Sequence, residues 1–355
     1  MFIYRISSGK LLFREILREN DCNVILRNIW KQGFYCSKAR PTLGLSTILE
    51  VKLVDLVRRQ TTISAPAVCA GIELHGGEHT RLVLKPAPVG TGITFIRTDI
   101  SDRDNAILVG PTAVSGVKNC TTLENKAGVK ISTIEHLMAA LASVGIDNLT
   151  IDVDGQEIPA LDGSSEPFLK LIEQVGIVRQ PAPRKYVKVL KTIELEQRGS
   201  FGRIEPHDRL YLDVTIDFDD KAIGRQRMEI EPDTRSFRER MASARTFARA
   251  HEVVALREAG LSKGGSYDNA VVVDGDKVLN PGGLRYNDEF VRHKALDLMG
   301  DLYLAGPILG KITTVRGGHG LNHNLMMKLF ADREAWKFVS LPAENSILAC
   351  DSVQA

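Results

Sequence analysis

Tyr286–Gly306, YNDEFVRHKALDLMGDLYLAG, reads as a helix. Asn287 is placed to cap it, Asp288 and Glu289 suit its positive N-terminal end, and Gly306-Pro307 closes it. Phe290, Val291, Ala295, Leu296, Leu298, Met299, Leu302, Tyr303 and Leu304 cover most of its circumference, so the helix is expected to be largely buried. One polar stripe remains. His293, Asp297 and Asp301 follow one another at i, i+4 steps and therefore lie on one face. A buried carboxylate is costly unless it is paired or holds a metal. His293 and Asp297 place an imidazole nitrogen and a carboxylate oxygen where one cation takes both. A hydrogen-bonded His–Asp pair lining a core satisfies the same pattern, and the stripe alone does not choose between them.

Working outward, the helix follows AVVVDGDKVLN (270–280), read as a strand, and precedes the strand GKITTVR (310–316). Asn322–Phe330 and Glu334–Val339 read as helical. Upstream, YVKVLKTIELEQ (186–197) and RLYLDVTIDFD (209–219) are strands, and FRERMASARTFARAHEVVALREAG (237–260) is helix with irregular parts. The first half has the same order. TTISAPAVCAGIEL (61–74), RLVLKPAPVGTGITFIRTD (81–99) and KNCTTLENKAGVKIST (118–133) look like strands broken by Gly and Pro turns. Ser132–Val144 is helical, NLTIDVDG (148–155) is a strand, and EPFLKLIEQVG (166–176) is a short helix. VRQPAPRKY (178–186), rich in Pro and charge, is the best linker. Strands followed by helix, twice over, predict an α+β protein of two halves, each a sheet with helices on one face. The expected domains are 58–180 and 186–342, with a C-terminal tail over 343–355.

The 355 residues are 43% hydrophobic and 25% charged, ordinary globular composition and long enough for two domains. A net charge of +2 gives no argument for nucleic acid. Cys22, Cys36, Cys69, Cys120 and Cys350 are scattered without a C-x-x-C pair, so neither a disulfide framework nor a cysteine zinc site is suggested. No apolar run approaches a membrane span; Leu43–Val57 is broken by Glu50, Lys52 and Asp55. The opening residues carry Arg5, Lys10, Arg14, Arg18, Arg27, Lys31, Lys38 and Arg40 against Glu15, Glu19 and Asp21, with Phe2, Ile3, Ile6, Leu11, Leu12, Phe13, Ile16 and Leu17 on one potential helix side. Such a basic amphipathic N-terminus resembles a mitochondrial transit peptide. A presequence over 1–57 and a mitochondrial location are therefore expected, a helical extension packed on the domain being the other reading.

Three segments carry candidate chemistry. In STIEHLMAAL (132–141), Glu135 precedes His136 at a helix start. Ser132-x-x-Glu135 also fits a capping box, and His136 fits a boundary histidine. If His136 instead points into the space faced by His293 and Asp297, the chain holds the two-histidine, one-carboxylate set of catalytic zinc, with Glu135 beside the open position. In VRGGHGLN (315–322), His319 lies in a Gly-rich turn that leaves it mobile, before a helix capped at Asn322. A solvent-facing loop histidine is the plainer reading. Arg316 suits a phosphate or the open surface, and Lys294 suits an anion contact or a snorkelled lysine.

HKALD, STIEHLMAAL and GGHGLN together resemble the bacterial-type UDP-3-O-acyl-N-acetylglucosamine deacetylase family of lipid A synthesis. GIELHGGE, EIPALDGSSEPF, RIEP, SARTFA, GGSYDNAVVVD and GLRYNDEFVRHK carry the same resemblance, which spans about residues 58–342. It implies two α+β sandwich domains related by a pseudo-repeat, with helices between their sheets. It places Zn2+ on His136, His293 and Asp297, the general base on Glu135, and the second catalytic histidine on His319 with Asp301 as its partner. It assigns Thr246 to the carbonyl oxygen, and Phe247, Lys294 and Arg316 to the substrate, a small nucleotide sugar bearing an acyl chain. An apolar passage for that chain, walled in part by Val253–Ser266, is expected too, as is a monomer. The long N-terminal extension departs from the bacterial members. A non-catalytic nucleotide-sugar or acyl-chain binding protein is the alternative, against which the retained Glu135 speaks. An RNA-binding α+β domain lacks the basic face it would need.

Overall fold

The computed structural model of the chain describes residues 57–343. The expected presequence and C-terminal tail lie outside these residues, apart from Val57, which bridges Pro342, and Ala343. The fold is α+β, with six α-helices among the described residues. In chain order these are α1 (Glu135–Val144), α2 (Glu166–Val175), α3 (Thr234–Arg240), α4 (Ala250–Glu258), α5 (Glu289–Leu302) and α6 (His319–Ala331).

Two sheets share one plan. In the first, the strands Ala67–Ile72, His79–Pro86, Leu149–Val153, Ile93–Arg97 and Ala106–Leu108 lie side by side in that order. Ile93–Arg97 runs parallel to Leu149–Val153, and the other neighbours are antiparallel. In the second, Ile193–Gln197, Ser200–Glu205, Ile308–Val315, Leu210–Asp217 and Arg225–Ile230 repeat that path and those senses. In both sheets the strand at the centre follows a long buried helix, α1 in the first and α5 in the second. The pseudo-repeat that the family resemblance implies is thus plain in the topology.

The strands bury one face because their apolar residues alternate. Leu82 and Leu84, Ile93 and Phe95, and Leu149, Ile151 and Val153 point inward with their intervening residues more exposed. Helix α2 packs on Ala67–Ile72, α6 on Ile193–Gln197 and Ser200–Glu205, and α5 on Leu210–Asp217 and Arg225–Ile230. Helices α1 and α5 pack directly on one another. At Gly300 a Cβ would sit 2.1 Å from the Glu135 carbonyl oxygen, so glycine is what lets the two backbones approach this closely. Helix α5 is buried over most of its length, as its composition requires.

Several local expectations are corrected. The Pro-rich 178–186 segment, read as a linker, carries the strand Ile177–Pro183, which pairs antiparallel with Arg59–Ile63. Pro181 and Pro183 are tolerated because Ile177–Pro183 pairs with no second strand among the described residues, so it lies at an edge. Glu334–Val339 is not helical. Trp336–Val339 adds an antiparallel strand to the edge of Tyr186–Val189, where bulky aromatic and β-branched residues suit a pleated surface. The 237–260 segment breaks into the end of α3, an extended stretch, the strand Phe247–Arg249 and α4. Within the interruption, Arg245 Nε meets Glu289 Oε1 at 2.9 Å, and Glu289 is fully buried. Helix α5 begins one residue later than read. Asp288 occupies its cap position without capping and pairs instead with Arg292 at 2.6 Å.

A candidate metal centre and active site

His136 projects from the first turn of α1, and His293 and Asp297 from successive turns of α5. The close approach at Gly300 sets those turns side by side. His136 Nε2 lies 3.6 Å and His293 Nε2 3.3 Å from Asp297 Oδ1. One ligand atom from each of the three falls within 4.8 Å of the others, and all three side chains are buried. The His293 Nδ1–H donates to the Ala244 carbonyl at 3.0 Å, which leaves the Nε2 lone pair facing the cluster. Lys294 Nζ donates to Asp297 Oδ2 at 2.8 Å, whereas the buried Asp297 Oδ1 has no hydrogen-bond partner. An orphaned carboxylate oxygen facing two imidazole nitrogens is costly by itself and fits a cation. Burial pushes His136 down to about 3, and burial lowers His293 as well, so both are neutral and able to ligate. Burial alone would raise Asp297; His293 and Lys294 outweigh it and hold the carboxyl well below the usual carboxylate range.

A second pair sits beside this cluster. Glu135 does not form the capping box. Ser132 Oγ lies 3.0 Å from Thr122 Oγ1, and Glu135 Oε2 accepts the Thr121 N–H at 3.1 Å. Burial pushes Glu135 up to about 7, opposed by His319. His319 is not in a mobile loop but is the first residue of α6, 8% exposed, with Gly318 rather than Asn322 at the cap. Its Nδ1–H donates to Asp301 Oδ2 at 2.9 Å and its Nε2 lies 3.8 Å from Glu135 Oε1. Burial works to lower His319, but Asp301 and Glu135 together carry it up to about 9. One group thus titrates near neutrality and its neighbour well above it, so carboxylate and imidazolium coexist.

The remaining candidates divide. The Thr246 backbone N–H donates to the Gly163 carbonyl at 2.8 Å, and its carbonyl accepts the Val271 N–H at 2.7 Å. Phe247 stands edge-on to His293 with ring centroids 6.3 Å apart, and Lys294 Nζ lies 5.6 Å from the Phe247 centroid. Phe247 and Lys294 therefore adjoin the centre, and Thr246 directly precedes Phe247. A water-sized cavity of about 10 Å³ abuts Lys294, Asp297, Thr314 and Asn322. Arg316 stands outside the buried cluster, its exposed guanidinium 2.7 Å from Asp217. Helix α4, in the segment expected to wall the acyl passage, buries none of its residues and leaves Val254 59% exposed.

Sequence reasoning missed two participants. In the sequence, Thr121 reads only as part of a strand and Asn322 only as a helix cap. In the fold, the Thr121 hydroxyl donates to Asp301 Oδ1 at 2.6 Å and Asn322 Nδ2 donates to Asp301 Oδ2 at 2.8 Å. No periodicity marks Thr121, because its partner lies 180 residues away.

A family model described as UDP-3-O-acyl N-acetylglycosamine deacetylase matches residues 60–331. A UDP-3-O-acyl-N-acetylglucosamine deacetylase from Phenylobacterium zucineum (strain HLK1) is 46% identical over 279 residues, covering 78% of this chain and 95% of the relative. One from Chromobacterium violaceum is 42% identical over 284 residues, covering 79% of this chain and 93% of the relative.

Proposed function

This chain belongs to the UDP-3-O-acyl N-acetylglycosamine deacetylase family, and from that premise we propose that it hydrolyses the N-acetyl amide of UDP-3-O-acyl-N-acetylglucosamine with the help of zinc. Acetate and a free glucosamine amine would be the products, in lipid A or lipid A-like synthesis. The observation that carries the reading is the convergence of His136 Nε2 and His293 Nε2 on the unpartnered Asp297 Oδ1, with Glu135 and His319 alongside.

His136, His293 and Asp297 would hold the ion, which when bound acidifies a water and polarises an amide carbonyl. Lys294 orients Asp297, and the Ala244 carbonyl orients His293. Glu135, ionised, takes one proton of the attacking water while the water oxygen bonds to the acetyl carbon. The Thr246 hydroxyl donates to the developing oxyanion. His319, cationic because Asp301 faces it, gives its Nε2 proton to the sugar nitrogen as the C–N bond breaks. Glu135 ends protonated and His319 neutral. The 3.8 Å between Oε1 and Nε2 is a short path for the proton that resets them.

The test is release of acetate by the purified full chain, before and after chelation and after zinc is restored. A zinc-loaded enzyme that leaves the substrate intact, or a rate indifferent to chelator, would sink the reading. The basic amphipathic N-terminus adds the proposal of a mitochondrial location, which N-terminal sequencing of protein recovered from its host checks.

A further inference from the structure

The chain's own base and acid come from different elements: Glu135 from the start of α1, His319 from the start of α6, and the partner Asp301 from the end of α5. Helix packing brings such groups near each other, but a shift of an ångström in one helix end would spoil their alignment. One residue touches all three. The Thr121 backbone N–H donates to Glu135 Oε2 at 3.1 Å. Its hydroxyl donates to Asp301 Oδ1 at 2.6 Å and lies 3.4 Å from His319 Nδ1. Thr121 is 2% exposed and directly precedes the strand Thr122–Glu124, which pairs with Lys130–Ile131 just ahead of α1.

We infer that Thr121 is a positioning residue that holds the base and the acid of this site in one frame, through its N–H on Glu135 and its hydroxyl on Asp301. The inference rests on the roles proposed above for Glu135 and His319. An Asp301 carboxylate held only by His319 would be free to turn about its terminal bond and lose the imidazole. Here three donors fix it: the Thr121 hydroxyl on Oδ1, and Asn322 Nδ2 and His319 Nδ1 on Oδ2. The hydroxyl spends its proton on Oδ1 and keeps a lone pair toward the imidazole edge. The same residue's N–H takes up Glu135 Oε2 and leaves Oε1 as the oxygen nearer His319. Any displacement of residue 121 therefore misaligns both proton-transfer groups together. Thr121 meets neither His136, His293 nor Asp297 in any hydrogen bond, so its loss separates positioning from metal binding.

The experiment uses the full zinc-loaded chain with Thr121→Val, which keeps the β-branched shape and removes the hydroxyl, and Thr121→Ser, which restores it. Thr121→Val is expected to keep its zinc content and KM while kcat falls about 10- to 100-fold, the usual cost of losing a supporting hydrogen bond around such a site. Thr121→Ser is expected to recover most of that loss. A Thr121→Val enzyme within about twofold of the parent kcat overturns the inference, as does a Thr121→Ser enzyme impaired as deeply as Thr121→Val, which would point to packing alone. If Thr121→Val does not accumulate as folded protein, Thr121→Ala against Thr121→Ser asks the same question. Glu135→Gln run beside them keeps the two claims apart. An inactive Glu135→Gln with an active Thr121→Val overturns only the positioning role, whereas an active Glu135→Gln removes the base assignment beneath it.

Discussion

His136, His293 and Asp297 are each ordinary residues, and only their shared burial makes the cluster informative. A neutral imidazole whose far nitrogen donates to a carbonyl presents a lone pair inward, and a carboxylate oxygen without a donor presents charge. Asp297→Ala removes that charge and is expected to abolish zinc retention along with turnover; metal analysis finding zinc in the variant would contradict the ligand assignment. Glu135→Ala leaves the ligand atoms in place, so it should bind zinc while kcat falls roughly 10²- to 10⁴-fold. The pH dependence has a definite sign. Below about 7 Glu135 takes up a proton and stops acting as a base, and above about 9 His319 loses the proton it must donate. A bell-shaped profile follows, with its basic limb at or below 9, since a bound cation disfavours the imidazolium. Its acid limb falls at or below 7, since a bound cation favours the ionised carboxylate. A rate still rising past that basic limb would exclude His319 as the acid.

Among the elements, the contact of α1 with α5 decides the geometry. Alanine is ordinarily the better helix former, by about 1 kcal/mol over glycine in a helix interior. At Gly300 the reverse is expected. A Cβ would meet the Glu135 carbonyl at 2.1 Å and the Ala139 amide nitrogen at 3.2 Å, both backbone atoms that no side-chain rotation can relieve. Gly300→Ala should therefore lower the thermal midpoint, with a cost of about 1–3 kcal/mol or more for forcing the helices apart. It should also weaken zinc retention, because the same displacement draws His136 from Asp297. An unchanged or raised midpoint with full zinc occupancy would show that the approach is not needed. The element scale also explains a local reading that failed. Glu334–Val339 reads as helical on composition, but its last residues pair with a partner far away in the chain, the edge of Tyr186–Val189.

For the whole molecule, the centre couples stability to metal and pH. Chelation should lower the thermal midpoint, by the equivalent of about 2.7 kcal/mol for an ion previously present at a hundred times its Kd. In the metal-free protein, His319 has a folded pKa of about 9, above its ordinary 6.5. Its contribution is therefore fully present below 6.5 and lost as pH rises through 9, on the order of 3 kcal/mol. Chemical denaturation across that window should show stability falling with pH, and His319→Gln should flatten the slope. A slope unaffected by the substitution would place the proton elsewhere. What the sequence by itself determined was whatever repeats with the backbone's own period. The helical spacing put His293, Asp297 and Asp301 on one face, and the alternation of Leu82 with Leu84 or Ile93 with Phe95 set which side of each strand turns inward. The order of strands and helices, read twice, already described two α+β halves. What only the tertiary structure decided was which faces meet. Thr121 reaches Asp301 across 180 residues, and His136 reaches Asp297, because distant elements pack together, α1 and α5 closely at Gly300. Local dihedral preferences extend over a turn or a pleat, whereas the meeting of distant side chains depends on how the buried surfaces fit together, which no short stretch of chain contains.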